Sequence, residues 1–162
     1  MKKLMIFLLL TIILAGCAAT PTFETLGQVQ HQQTVTHPAA EVLLSLPEDA
    51  AAETFGGSDT VYECNGYTLV LQTCSSGDLT ATVQALSGFS PEKLTILESA
   101  AQTLRRYDWV WTAAGEGGDL LCRAAVLDDG NYHYCVYALA PAQNAGKLTE
   151  EWNELFASFR LA

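Results

Sequence analysis

Asn65-Gly66 lies between two runs of strand-forming residues, "TVYEC" at 60–64 and "YTLVLQTC" at 67–74, and no other feature constrains the fold as much. A two-residue hairpin turn needs positive φ at both positions, and Asn-Gly meets that need best. The β-branched and aromatic residues on either side suit a pleated surface. A chain with this punctuation is committed to antiparallel pairing. The same pattern recurs further on. "DLLCRAAVL" at 119–127 and "YHYCVYALA" at 132–140 flank "DDGN", so Asp129-Gly130 is the expected turn. "EGG" at 116–118 joins that pair to "RRYDWVWTA" at 105–113. In that segment Tyr107, Trp109 and Trp111 fall on one face, with Asp108, Val110 and Thr112 on the other. "EVLLSLP" at 41–47 reads as a first strand.

Two segments carry helical spacing. After "SSG", Leu79, Val83 and Leu86 repeat at i, i+4 and i+7. Ser76 is the expected cap, Asp78 suits the positive end, and Gly88 supplies a left-handed stop. Leu148, Trp152, Leu155 and Phe159 form a second stripe near the C-terminus, of the kind that packs on a sheet. Residues 90–104 are ambiguous, and one helical turn from Ser90-Pro91-Glu92 followed by a short strand is the expected compromise. The predicted class is α+β: a single domain with an antiparallel sheet of about six to seven strands covered by two main helices.

The N-terminus places that domain. Met1-Lys2-Lys3 is followed by an apolar run from Leu4 to Leu14, interrupted only by Thr11. Such a run suits a signal peptide and falls short of the roughly 20 residues needed to cross a bilayer. It ends in Leu14-Ala15-Gly16-Cys17, which resembles the lipobox of bacterial lipoproteins. That resemblance implies a diacylglycerol joined to the Cys17 sulfur by a thioether and cleavage between Gly16 and Cys17. Residues 1–16 are then a signal peptide, 17–38 a lipidated N-terminus and flexible tether, and 39–162 the globular domain. About 20 tether residues span ~66 Å fully extended and nearer ~25 Å as a coil. Losing the leader leaves 6 Lys plus Arg against 18 Asp plus Glu, a charge of −12. That surface repels nucleic acid, so no nucleic-acid partner is expected.

With Cys17 lipidated, Cys64, Cys74, Cys122 and Cys135 remain as possible disulfide cysteines. No Cys-x-x-Cys occurs, which removes support for thioredoxin-like chemistry and zinc ribbons. The Asn65-Gly66 hairpin and a Cys64–Cys74 bond exclude each other, because the second strand would carry Cys74 more than ~20 Å from the turn. With Asp129-Gly130 as the turn, Cys135 faces Ala124, and Cys122 and Cys135 are diagonal neighbours that a small shift could join.

"SGDLTATVQALSGFSPEKLTIL", "LDDGNYHYCV" and "EEWNELFASFRLA" are similar to segments of small, uncharacterised bacterial lipoproteins. The closing helix and Ser158-Phe159-Arg160-Leu161 also resemble the PsbP-like fold, an α/β/α sandwich. The likeness spans about residues 40–162. It implies an antiparallel sheet between helices and brings no active site with it.

Chemistry-bearing residues are sparse. His133, close in sequence to Asp128 and Asp129, is the only histidine of the globular part. A hydrolase would need a nucleophile bonded to it, and no Gly-x-Ser-x-Gly elbow is present. "DDGN" lacks the alternating acids of a calcium loop, and His-Glu-x-x-His is absent. Asp128 and Asp129 therefore read as solvated turn residues. Tyr107, Trp109, Trp111, Tyr132 and Tyr134 (with Tyr137) form either a ligand face or the sheet–helix core. No catalytic residue, metal ligand or cofactor is assigned.

These features predict a lipoprotein anchored through Cys17 to the extracytoplasmic face of the cell membrane. Its expected role is a non-enzymatic interaction or structural module of the envelope, with an envelope protein or a small ligand as partner. The competing expectations are a small-ligand-binding lipoprotein using the Trp109/Trp111 face and an envelope hydrolase centred on His133.

Overall fold

A computed structural model describes residues 37–54 and 59–162. The signal peptide, Gly16, Cys17 and nearly all of the predicted tether lie outside the described residues. Strands β1 (Val42–Leu43), β2 (Ala51–Thr54), β3 (Thr60–Cys64) and β4 (Tyr67–Ser75) come first, followed by helix α1 (Leu79–Ser87). A 3-10 turn at Pro91–Lys93 leads into β5 (Leu97–Ala101), β6 (Leu104–Gly115), β7 (Gly118–Asp128) and β8 (Tyr132–Pro141). Helix α2 (Ala145–Ser158) and β9 (Arg160–Leu161) close the chain.

Seven strands form one antiparallel sheet in the order β2-β3-β4-β8-β7-β6-β5. The Asn65-Gly66 hairpin is as expected: Cys64 pairs directly with Tyr67, and Gly66 has φ 91°. From β4 the chain crosses one face of the sheet as α1 and enters the far edge at β5. It then returns strand by strand until β8 pairs with β4. The ambiguous stretch resolves as a 3-10 turn and a short strand, in line with the expected single turn followed by a strand.

The two helices cover opposite faces. Side chains alternate along each strand, so one set of positions belongs to each helix. Leu148, Trp152, Leu155 and Phe156 of α2 pack on Tyr67, Leu69, Ala125, Leu127, Tyr134 and Val136. Val83 and Leu86 of α1 pack on the other face, with Val70, Tyr107, Trp109, Trp111, Ala124, Val126 and Tyr137. Isolated helices of these lengths, 9 and 14 residues, are marginal in water, so burial holds them. Each fully buried large apolar side chain contributes ~1.5–3 kcal/mol.

Three local expectations are corrected. Asp78, not Ser76, caps α1, accepting from the Thr80 amide at 2.9 Å, because the Ser76 hydroxyl is engaged elsewhere. Helix α2 stops at Ser158, and Phe159 stays buried as the residue that leaves it. The segment 41–47 does not join the main sheet. Only Val42–Leu43 is strand, and it pairs with Arg160–Leu161 in a separate two-stranded ribbon. Glu41 O accepts from the Ala162 amide at 3.0 Å, and Ser158 Oγ accepts from the Ser45 amide at 2.9 Å. The two ends of the domain are thus clasped together.

Candidate functional site

The densest polar construction among the described residues surrounds the β7–β8 loop. Asp128 Oδ1 accepts from the Gly130 amide at 2.8 Å. Asp129 Oδ1 accepts from the amides of Asn131 at 2.8 Å and Tyr132 at 2.7 Å. These side-chain-to-backbone bonds widen the turn, since Asp side chains can substitute for backbone partners. The first pair across the loop is Asp128 with His133, which leaves residues 129–132 as the connection in place of a two-residue Asp129-Gly130 turn.

The incoming chain binds to this loop. The Tyr134 hydroxyl donates to Asp129 Oδ2 and accepts from the Ala40 amide, both at 2.9 Å. The Tyr132 hydroxyl donates to His37 O at 2.9 Å, and the His37 ring lies 5.8 Å from the Tyr132 ring. His37 Nε2 is 2.9 Å from Asn131 Nδ2 and 4.0 Å from Asp129 Oδ2. Asp129 is therefore no solvated turn residue: its side chain is 16% exposed. Burial pushes its carboxyl up, but the Asn131 and Tyr132 amides, the Tyr134 hydroxyl and His37 outweigh this and hold it below its ordinary value. Burial, together with the bond to Asp129, raises the Tyr134 hydroxyl to about 12. The sequence reading missed this use of Asp129, Tyr134, His37 and Ala40. The one local signal was Asp two residues before Asn in "DDGN".

His133 is 1% exposed and sits between α1 and the sheet. Its Nδ1 lies 2.7 Å from Thr82 Oγ1 on α1, and its Nε2 lies 3.2 Å from Ser76 Oγ and 3.7 Å from Asp128 Oδ2. Ser76 Oγ also donates to Asp128 Oδ1 at 3.2 Å. The structure thus brings together His133 and Asp128, but not in a hydrolytic arrangement. A triad sets the acid and the nucleophile on opposite ring nitrogens, whereas Asp128 and Ser76 share Nε2 here. Thr82, on the other nitrogen, is fully buried in the middle of α1. The cluster fastens α1 and the residue that follows β4 to the ends of β7 and β8. Among the described residues no group of three or more His, Cys, Asp and Glu side chains is placed to hold a metal.

The five aromatic candidates do not form one face. Tyr107 pairs with Val126, and Val126 with Cys135, so Tyr107, Trp109 and Trp111 share the α1 face with Cys135 and Tyr137. Tyr134 lies on the α2 face, with Tyr132 packed against the same cluster. Trp109 and Trp111 stack at 6.2 Å and are 2% and 7% exposed. They form core beneath α1. The surface grooves beside α2, at Ser45 to Pro47 and at the Asn65-Gly66 hairpin, have neither tryptophan in their lining.

All four described cysteines are free thiols. The wider β7–β8 loop sets Cys122 opposite Leu139 and Cys135 opposite Val126. The expected diagonal relation of Cys122 and Cys135 is therefore lost: they stand four register positions apart, ~13 Å along the strands. Burial pushes Cys122 up to about 12. Cys64 lies at the first hairpin, far along β4 from Cys74, as the sequence requires.

This architecture, an antiparallel sheet between two helices with its ends clasped, defines a class of α/β/α sandwich domains. A protein of Bacteroides thetaiotaomicron shares the fold with a TM-score of 0.51 and 12% identity, over 75% of this chain and 45% of that one. The chain spans less than half the length of that protein. LpqN, a protein involved in cell envelope biogenesis of Mycobacterium tuberculosis, gives a TM-score of 0.50 and 11% identity over 83% of this chain and 88% of its own. The Saccharomyces cerevisiae Ran-binding protein Mog1p gives 0.47 and 11%, over 74% and 89%. At these identities the likeness to the first two concerns the fold alone. No protein-family model matches the sequence. No curated protein matches it either. Among the described residues no helix is long and apolar enough to cross a membrane.

Proposed function

We propose that the chain is an extracytoplasmic domain, anchored to the cell membrane by lipid on Cys17, that serves as a non-enzymatic interaction module of the envelope. The observation that carries this reading is the fixed entry of the chain. The last residues of the predicted tether and those that follow it are held to the β7–β8 loop by Tyr132 at His37 and Tyr134 at Ala40, and the chain is then clasped to the C-terminal strand. A lipid at Cys17 would then pull on one defined pole of the domain and leave the rest free to meet a partner. Two further facts support it. LpqN, with the same fold, is described as a protein of cell envelope biogenesis. The histidine that a hydrolase would need is buried in the helix–sheet seam.

The test is fractionation with mass spectrometry of the N-terminus. The full chain, expressed in a bacterium with lipoprotein processing, is expected in the membrane with a diacylglyceryl Cys17 as its first residue. Cys17→Ala is expected to carry no lipid and to keep residues 1–16, because lipid attachment at that cysteine precedes the cut. Membrane-derived wild type with a free Cys17 thiol, or with residues 1–16 still attached, overturns the anchor. Crosslinking of the lipidated domain in its own envelope is expected to capture a partner at stoichiometric yield.

A further inference from the structure

Cys74 and Cys135 stand on neighbouring strands in a relation the sequence does not reveal. Cys74 is paired with His133, and Cys135 with Gln72, so the cysteines are diagonal neighbours across β4 and β8. Both point to the α1 face of the sheet. Their sulfurs approach the same acceptor, His133 O, at 3.7 Å from Cys74 and 3.9 Å from Cys135. Cys64 and Cys122 have no such neighbour in the register: they pair with Tyr67 and with Trp111 and Leu139.

We propose that Cys74 and Cys135 form a reversible disulfide, with Cys74 the thiol that reacts first. The geometry sets both the feasibility and the lability of the bond. Diagonal residues in an antiparallel pair have Cα atoms ~7–8 Å apart, just beyond the ~7 Å a disulfide spans, so closing the bond requires the backbone to move. Closing the gap is easiest where a strand can shift, and the end of β4 can. Among the described residues its pairing with β3 stops at Leu71, while residues 72–75 pair with β8. A bond closed at the limit of reach carries strain, and strained disulfides are the readily reduced ones.

The two thiols are unequal. Cys135 is 1% exposed, whereas Cys74 is partly open to solvent. The neighbouring Cys135 thiol holds the Cys74 thiol below its ordinary value despite burial. Cys74, with burial, in turn holds Cys135 well above its own. A partly exposed thiol with the lower pKa beside a buried one with the higher gives an order of events. The Cys74 thiolate attacks a disulfide donor, R–S–S–R. A bond forms between Cys74 Sγ and one donor sulfur, and the other leaves as a thiolate. Cys135 then gives up its proton and attacks Cys74 Sγ, expelling the second donor sulfur. The protein dithiol is oxidised by two electrons, and the donor is reduced to two thiols.

The probe is oxidised glutathione, added to the purified full chain and followed by denaturing alkylation and non-reducing peptide mapping. Wild type is expected to yield one linked peptide pair, Cys74 with Cys135, two hydrogens lighter than the reduced pair and lost on adding dithiothreitol. Cys135→Ser is expected to stop at a glutathione adduct on Cys74, and Cys74→Ser to leave Cys135 unmodified. Cys122→Ser, as a folding control, is expected to form the same bond as wild type. Wild type that ends with Cys74 and Cys135 both alkylated, or with a stable glutathione adduct on Cys74, overturns the proposal. So does any linked peptide containing Cys64 or Cys122. Because wild type alone decides these outcomes, a serine variant that fails to fold leaves the test intact.

Discussion

Arg106 grips Asp108 two residues along the same strand: Nε reaches Oδ2 at 2.6 Å and Nη2 reaches Oδ1 at 2.9 Å. The guanidinium also donates to Phe156 O from Nη2 at 2.8 Å and to Phe159 O from Nη1 at 3.1 Å. The last carbonyls of a helix have no partner within the helix. Arg106 satisfies one of them, Phe156 O, together with the Phe159 carbonyl just past the helix end, and Asp108 keeps the charge that does so aligned.

Replacing Arg106 therefore acts on α2 from the sheet. Arg106→Ala is expected to cost ~2–3 kcal/mol, since it removes several charge-assisted bonds and leaves Asp108 half-buried without its partner. Arg106→Lys is expected to recover less than half, because an ammonium cannot fork between a carboxylate and two carbonyls. Urea denaturation followed by tryptophan fluorescence measures both. An Arg106→Lys variant as stable as wild type would show that charge alone suffices.

The His133 cluster is structural, and a double-mutant cycle can show it. Thr82→Val removes the 2.7 Å bond to His133 Nδ1 and is expected to cost ~1–3 kcal/mol. His133→Phe is expected to cost a similar amount. The double variant is expected to fall short of the sum by ~1–2 kcal/mol, the mark of two residues that act through one another. Additive losses would mean that the ring and the hydroxyl contribute separately.

Much of this fold was legible from the sequence where local chemistry decides it. Asn65-Gly66 is a backbone conformation before it is anything else, and Gly88 ends α1 with φ 76° for the same reason. Alternation put Tyr107, Trp109 and Trp111 on one face, and they are there. What escaped was set by distant partners or by side chains that replace backbone ones. Glu41 to Pro47 looks like a sheet strand, yet Val42–Leu43 is claimed by Arg160–Leu161 from the other end of the chain. The strand Ala51–Thr54, "AAET", has little β character and exists because β3 offers an edge. At "DDGN" the competition was local but hidden: Asp129 binds the amides of residues 131 and 132, and the loop lengthens. That shift moved every pair between β7 and β8 by two positions, so it separated Cys122 from Cys135. The site was less legible than the fold because Tyr134 and Ala40 are 94 residues apart in sequence.

Stability at low pH is expected to depend on Asp129. Its folded pKa lies below its ordinary value of 3.8, so its contribution is fully present above that value and fades as the pH falls towards the folded value. Asp129→Asn is expected to be less stable at pH 7 and to lose part of the acid limb, converging with wild type at the lowest pH that both survive. Thermal unfolding scans from pH 2 to 7 check it. A constant difference between the two proteins across that range would remove Asp129 from the acid response.

The same loop decides how firmly the chain enters the domain, and Tyr134→Phe tests that link directly. The substitution keeps the ring, which is fully buried on the α2 face, and deletes only the hydroxyl between Asp129 and Ala40. The global cost is expected to be modest, ~1–2 kcal/mol, as for two buried hydrogen bonds lost together. The local effect should be larger. In wild type the Ala40 amide is bonded and should exchange slowly with solvent. In Tyr134→Phe its exchange is expected to rise at least tenfold, while amides in the centre of β7 and β8 keep their protection. Hydrogen–deuterium exchange resolved at residues 38–44 reads this. Equal acceleration throughout the sheet would mean that the hydroxyl supports the fold in general, and unchanged exchange at Ala40 would mean that the β1–β9 clasp alone fixes the entry.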